Sequence, residues 1–223
     1  MTYTELTAAI INYTQNSEST FVANIPVFVK QAEDRIYNSV QIPALRKNVT
    51  GTTTNNNRYL SCPNDFLSVF SISALDQTTG YFEFLLNKDV NFIRAAYPNP
   101  SETGFPKYYA LYGPTVVDGT ITTELSFIIG PTPSSGYSLE LNYYYYPESI
   151  TTAQTSWLGD NYDPVLLYGS LREAYLFMKG EQDIITYYEK MYQDAIDQLN
   201  RLGTGLERGD AYRDGQAKIK VNP

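Results

Sequence analysis

The residues able to carry chemistry in this chain are mostly carboxylates, and their spacing decides what they can do. Asp160 and Asp163 could supply the acid pair of a glycosidase, but Asp163-Pro164 reads as a helix N-cap followed by proline at the first helical position. The stretch from Asp118 to Glu124 reads as a solvated turn. Asp210 and Asp214 could ligate calcium, yet the glycine and ligand pattern of an EF-hand loop is missing. Gly203-Thr204-Gly205 is no phosphate loop, because no lysine follows at the required offset and the run ends a helix rather than starting one. Arg208-Gly209-Asp210 matches an adhesion tripeptide, a triplet common by chance. There is no histidine, and Cys62 is the sole cysteine. That excludes Cys/His zinc sites, intrachain disulfides and His-based triads. No enzymatic constellation survives, so the chain reads as a non-enzyme with no cofactor, metal or small-molecule substrate.

One carboxylate set has a different use. Asp183, Asp194 and Asp197 fall on a common side of the last predicted helix, away from its apolar stripe, with Lys190 among them. They form either a solvated helix face or one wall of a channel that conducts DNA. Composition bounds the second reading. The 223 residues carry 24 acidic against 16 basic groups, a formal net charge of -8. A general nucleic-acid binder needs a basic footprint to displace counterions, whereas a surface that DNA merely passes does not. Hydrophobic residues make up 43%, enough for a real core. A single thiol fits folding in a reducing cytosol. No signal peptide is expected, and no stretch approaches the ~18 apolar residues needed to span a membrane. Tyrosine is over-represented, with 21 against 10 Phe and 1 Trp. That fits strands with partly exposed faces and rings placed in protein–protein contacts.

The elements that must position these residues run in the order helices, strands, helices, tail. Thr2-x-x-Glu5 is a capping box ahead of Leu6, Ile10 and Tyr13. Asn24 and Pro26 open a second helix with Val29, Ala32 and Ile36 on its buried face. A Gly/Asn/Thr-rich stretch at 48–57 reads as a turn or loop. Strands are predicted at 58–61, 67–74, 81–85, 107–112, 115–117, 122–129 and 137–146, with one or two helical turns at 88–95 and a Pro-rich loop at 97–106. Tyr143 to Tyr146 should place two rings on each face of the last strand. A helical hairpin follows from Asp163 to Leu202. Its first helix carries Leu167, Leu171, Ala174 and Met178 and stops at Gly180. Its second carries Ile184, Tyr188, Met191, Ala195, Leu199 and Leu202 and stops at Gly203.

The expected fold class is α+β. A helical cluster forms from N-terminal helices (1–46) and the C-terminal hairpin (151–202), with an antiparallel β-sandwich or barrel (47–150) inserted between them. An extended tail (203–223) has little to fold against and is ordered by a partner. Its candidate contacts are Leu206, Arg208, Tyr212, Arg213, Lys218, Ile219, Lys220 and Val221, with the alternating end suited to adding a strand to a partner's sheet.

Several ordered motifs carry a family resemblance. They are Tyr3-Thr4-Glu5-Leu6, Ile25-Pro26-x-Phe28-Val29-x-x-Ala32-Glu33-x-Arg35-Ile36 and Leu60-x-x-Pro63-x-Asp65-Phe66-Leu67. Further along come Tyr143 to Pro147, Leu167-Tyr168-x-x-Leu171-x-x-Ala174 and Tyr188-x-x-x-Tyr192-x-x-Ala195-Ile196-x-x-Leu199. In this order the chain resembles the head-to-tail adaptor proteins of short-tailed bacteriophages, which include the upper tail-tube (tubular A) proteins. The resemblance implies a homo-oligomeric, dodecameric ring under the portal protein at the head–tail junction of the virion, assembled in the host cytoplasm. It also implies that the helices surround the DNA channel, that the tail reaches the portal, and that the β-part faces the tail nozzle and fibre proteins. DNA would pass during ejection without specific binding, and no membrane is involved. The rival reading is a carbohydrate- or receptor-binding tail module using the Tyr-rich β-part, which the position of Trp157 outside that part weakens.

Overall fold

The computed structural model describes residues 1–113, 115–117, 120–123 and 125–207. The chain divides into two compact units, one from Met1–Leu45 together with the chain from Pro147 onward, the other Arg46–Tyr146. The first is helical: α1 (Tyr3–Thr14), α2 (Ser19–Ser39), α4 (Ile150–Ala153), α5 (Trp157–Asn161), α6 (Asp163–Phe177) and α7 (Gln182–Glu207). The second holds α3 (Val90–Ala96) and, among the described residues, all the strands.

The capping box forms as expected. Thr2 Oγ1 accepts from the Glu5 N–H at 3.3 Å, and the Glu5 carboxylate accepts from the Thr2 N–H at 2.7 Å. Leu6 and Ile10 are buried, while Tyr13 is exposed. The second helix begins earlier than Asn24-Pro26 suggests, and Pro26 lies inside it. Proline removes one N–H donor there, but Phe21, Ile25, Phe28, Val29, Ala32 and Ile36 all bury along this helix, and that packing carries it through the proline. Helix α6 is the centre of the unit, touching α1, α2, α5 and α7. Val165, Leu166, Leu171 and Ala174 are all buried, as expected of a helix enclosed by others.

Both ends of α6 differ from the sequence expectation. Asp163 is its first residue rather than its N-cap; Tyr162 precedes it without a side-chain cap bond, and Pro164 stays in the first turn. At the other end the left-handed residue is Lys179, at φ 54°, not Gly180. Lys179 N–H donates to the Leu176 carbonyl at 3.2 Å and Gly180 N–H to the Tyr175 carbonyl at 2.9 Å, the paired bonds of a Schellman motif. Gly180 is needed for closeness: a Cβ there would sit 2.9 Å from Tyr175 Cδ1.

The largest correction concerns α7, which does not stop at Gly203. It continues to Glu207, so 203–207, including Leu206, are helix rather than extended tail. Gly203 is buried because the helix meets Ile42 there; a Cβ would lie 2.2 Å from Ile42 Cγ2. The buried stripe is Tyr188, Tyr192, Ala195, Ile196, Leu199 and Gly203. Met191 is only half-buried and Leu202 is 42% exposed, so the stripe is rotated towards Tyr192 and Ile196.

Charged groups tie the helices together. Arg35 Nη2 and Arg172 Nη1 each reach Glu173 Oε1 at 2.7 Å, and Arg172 Nε pairs with Glu189 Oε2. This joins α2, α6 and α7. Two positions from Arg35, Glu33 is 2% exposed and accepts from Ser149 Oγ at 2.6 Å and from the Ile150 N–H at 2.9 Å, holding the start of α4.

The second unit has two four-stranded sheets that do not close into a barrel, which removes that alternative. The strands are β1 (Arg46–Thr52), β2 (Tyr59–Ser61), β3 (Phe66–Leu75), β4 (Phe82–Phe84), β5 (Leu86–Asn87), β6 (Thr103–Gly104), β7 (Tyr108–Tyr112), β8 (Thr115–Val117), β9 (Thr120–Thr123), β10 (Ser126–Gly130), β11 (Thr132–Pro133) and β12 (Ser138–Tyr145). Their orders are β1-β12-β3-β4 and β2-β10-β7-β5. Residues from both sheets share one buried cluster, among them Phe66, Ile72, Leu141 and Tyr143 from one and Tyr109, Phe127 and Ile129 from the other. The stretch read as a loop at 48–57 begins with β1, an edge strand whose polar residues pair with β12 from Arg46↔Tyr144 to Thr52↔Ser138. An edge strand with little burial carries no alternating apolar pattern to announce it. The strand expected at 122–129 is two, β9 and β10. Register shifts interrupt β12 within its tyrosine run, so Tyr143 and Tyr144 are both buried, Tyr145 is half-buried and Tyr146 is exposed just beyond the strand.

Two stability predictions follow from the helical unit. Gly203→Ala should destabilise it by about 1–3 kcal/mol through overpacking on Ile42. Gly205→Ala, with open space around its Cβ, should be neutral or stabilising by up to ~1 kcal/mol, as helix propensity dictates. Thermal melts of both variants check the pair; equal effects would refute the Ile42 contact.

The second concerns Glu33. Burial pushes its carboxyl above the usual range, opposed by the bonds from Ile150 and Ser149. A carboxyl raised in the fold contributes most when protonated, and that contribution is lost as pH rises through the folded value. Glu33→Gln removes the titration, so its melting temperature should gain on wild type as pH rises from about 4 to 7. Glu33→Ala leaves the buried Ile150 N–H without its acceptor, while Ser149 Oγ can still turn to Thr151 Oγ1, and should cost about 1–3 kcal/mol.

Candidate functional site

The outer face of α7 is where the sequence placed its acidic set. Asp183, Asp194 and Asp197 are all exposed and lie opposite the buried stripe. At 3.6 residues per turn they fall within an arc of about 60°. Lys190 and Arg201 are exposed in the same arc. Lys190 stands four residues before Asp194 and Arg201 four after Asp197, the spacing of neighbours on a helix surface. The face is therefore mixed, with one more carboxylate than cations among these five, and Arg201 is the residue the sequence reading left out.

The other acidic candidates do not gather into a site. Asp160 lies in α5 and Asp163 opens α6. Asp118, Glu124, Asp210 and Asp214 lie outside the described residues, as do Arg208, Tyr212, Arg213, Lys218, Ile219, Lys220 and Val221. Among the described residues no group of three or more Cys, Asp or Glu is placed to hold a metal. No described helix is long and apolar enough to cross a membrane. Burial pushes the Cys62 thiol up to about 12, which leaves it protonated and unreactive at neutral pH.

Asp65, inside one of the quoted motifs, does structural work instead. Its Oδ2 accepts from Lys47 Nζ at 2.5 Å and its Oδ1 from the Tyr143 hydroxyl at 2.8 Å, while its carbonyl accepts from the Tyr146 N–H at 2.8 Å. Burial pushes its carboxyl up, but the bonds from Lys47 and Tyr143 outweigh this and hold it below the usual range. Burial and the bond to Asp65 push the Tyr143 phenol up to about 12. One carboxylate thus pins β1, the turn into β3 and the end of β12.

A surface the sequence did not reveal lies on the sheet edges. Strand β4 ends one sheet and β5 the other. Tyr81 is 74% and Phe84 68% exposed, with Phe82 and Leu86 also more than half exposed. The strand was legible at 81–85; the exposure was not, because alternating aromatics read as a half-buried strand. Exposed aromatics of this kind mark contact surfaces rather than catalytic ones.

Among the described residues the arrangement offers contact surfaces and structural ties. A comparison with curated proteins finds no match. A family model described as SU10 adaptor protein matches residues 1–217, nearly the whole chain. The protein belongs to the SU10 adaptor protein family, structural adaptors of the phage virion that act through contacts with other virion components.

Proposed function

We propose that this protein is the head-to-tail adaptor of a phage virion, a dodecameric ring under the portal that lines the DNA channel and joins the head to the tail nozzle and fibres. The observation that carries the reading is the family match over residues 1–217, with the adaptor motifs in order along the chain. The two-unit division supports a division of labour. In this proposal the helical body, residues 1–46 with 151–202 and the last turn of α7, forms the ring wall. The β-part, a two-sheet sandwich over 47–150, offers its edges to neighbours and tail proteins. Exposed Tyr81, Phe82 and Phe84 suit a chain that works inside an assembly.

Two finer assignments belong to the same proposal. Asp183, Asp194 and Asp197 face the channel, where the mixed charge of the α7 surface gives phosphates little to adhere to. The segment after Glu207 reaches the portal. Extended, it spans up to about 50 Å at roughly 3.3 Å per residue, far enough to cross onto an adjoining ring.

Native mass measurement of the protein alone and on purified portal should give a closed ring on the portal; a monomer or trimer in both conditions refutes the ring. Deleting 208–223 should leave helicity and melting temperature unchanged but abolish attachment to portal-bearing heads. Attachment that survives the deletion refutes the tail assignment. Replacing Asp183, Asp194 and Asp197 with lysine should permit assembly and slow DNA ejection, most visibly at low salt. Normal ejection from well-assembled particles returns these residues to an ordinary solvated face.

A further inference from the structure

A cavity of about 460 Å³ lies in the β-unit, lined by residues around the start of β2, the end of α3 and the loop that follows it. Two guanidinium groups line it, Arg58 and Arg94. Among the described residues neither has a carboxylate partner. Arg58 Nη2 donates to Thr132 Oγ1 at 3.2 Å and, more weakly, to the Tyr97 carbonyl at 3.5 Å. Its Nε–H is buried with no acceptor among the described residues. Arg94 Nη2 donates to the Tyr112 hydroxyl at 3.1 Å, and its guanidinium lies 5.5 Å from the centre of that ring. Tyr112 is in turn held against Tyr59, with centroids 5.5 Å apart.

These contacts position both cations without neutralising either. Like charges on one cavity disfavour each other, and an unpaired buried N–H costs free energy. The repulsion between the two cations is relieved by an anion held between them. A planar, two-oxygen carboxylate matches the fork of a guanidinium better than a point charge does. Asn56 and Asn57 also line the cavity and bring amide donors. Two arginines in a chain of net charge -8 fall short of the basic footprint that a nucleic-acid backbone requires.

We propose that this cavity binds a carboxylate, supplied in the assembled adaptor by an Asp or Glu side chain of a second copy of this chain. The identity of the donor rests on the ring reading above. A ring contact is heterologous: one patch meets a different patch on the next copy. A cationic pocket without its own acid, in a chain with 24 acidic residues, is suited to one side of such a contact.

The test uses the full-length protein. Calorimetric titration with succinate, and separately with inorganic phosphate, is run at an ionic strength fixed with chloride, alongside sedimentation velocity. Saturable succinate binding is expected, weakened at least tenfold by Arg94→Gln. This exposed residue should be replaceable without loss of melting temperature. Arg94→Glu should weaken self-association at least tenfold. Absent succinate binding, or binding unchanged in Arg94→Gln, overturns the site. Phosphate binding without succinate binding overturns the carboxylate assignment. If Arg94→Glu loses succinate binding but self-associates like wild type, the second copy is overturned as the donor while the ring reading stands. Wild-type protein that never self-associates, alone or on the portal, overturns the ring and that donor together, and the succinate result still decides the site.

Discussion

The helical unit is assembled from two stretches of chain separated by the whole of residues 46–146, and the rest of the structure depends on closing that gap. Joining the ends of a flexible loop of about a hundred residues costs roughly 4 kcal/mol plus a constant. The β-unit meets that cost by its own folding. Its first and last long strands are antiparallel neighbours, with Arg46 opposite Tyr144, so the two points where the chain leaves and rejoins the helical unit are adjacent once the sheet forms. Within the β-unit, Asp65 fixes these strand ends to each other by bonding Lys47, Tyr143 and the backbone of Tyr146.

On the helical side the complementary task falls to α2. Two residues apart, Glu33 holds the start of α4 and Arg35 enters the charge network on α6 and α7. Both reach chain that comes after the insertion. Apolar packing alone does not specify which helix turn meets which, because the hydrophobic effect is non-directional. A buried carboxylate that must accept two particular donors does. Glu33 therefore trades some stability, through its desolvation, for a fixed register between the early and late helices.

This division explains what could be read from the sequence. Features written in local chemistry were legible: the Thr2–Glu5 capping box, the strands near 58–61, 67–74, 107–112 and 137–146, the apolar series of α6. Features set by a distant partner were not. Gly203 looks like a helix stop because glycine weakens helices by about 1 kcal/mol, yet here it is the only residue that lets α7 approach Ile42, some 160 positions earlier. Pro26 looks like a helix start, yet buried residues on both sides of it keep α2 continuous. The β1 edge, polar on nearly every residue, has no pattern of its own and exists because β12 lies beside it. The candidate site divides in the same way. The exposure of Asp183, Asp194 and Asp197 followed from helical periodicity, whereas the cavity joining Arg58 to Arg94 brings together positions 36 apart that no spacing rule connects.

In the proposed ring, where the α7 face would line the channel, its mixed charge bears on how an acidic adaptor could pass DNA. Two unit charges 4 Å apart in water interact by about 1 kcal/mol, and salt reduces this further. A purely acidic lining would repel phosphate at every level and oppose the passage of the genome as well as its adhesion. Lys190 and Arg201, each one turn from an aspartate, turn that uniform repulsion into short-range alternation that largely cancels beyond a Debye length. In a ring the alternation is repeated by every copy. A phosphate sliding past would then meet weak wells and weak barriers in turn, with no level at which the strand is strongly held. If the face lines the channel as proposed, low friction rather than net repulsion is what it would offer a passing duplex.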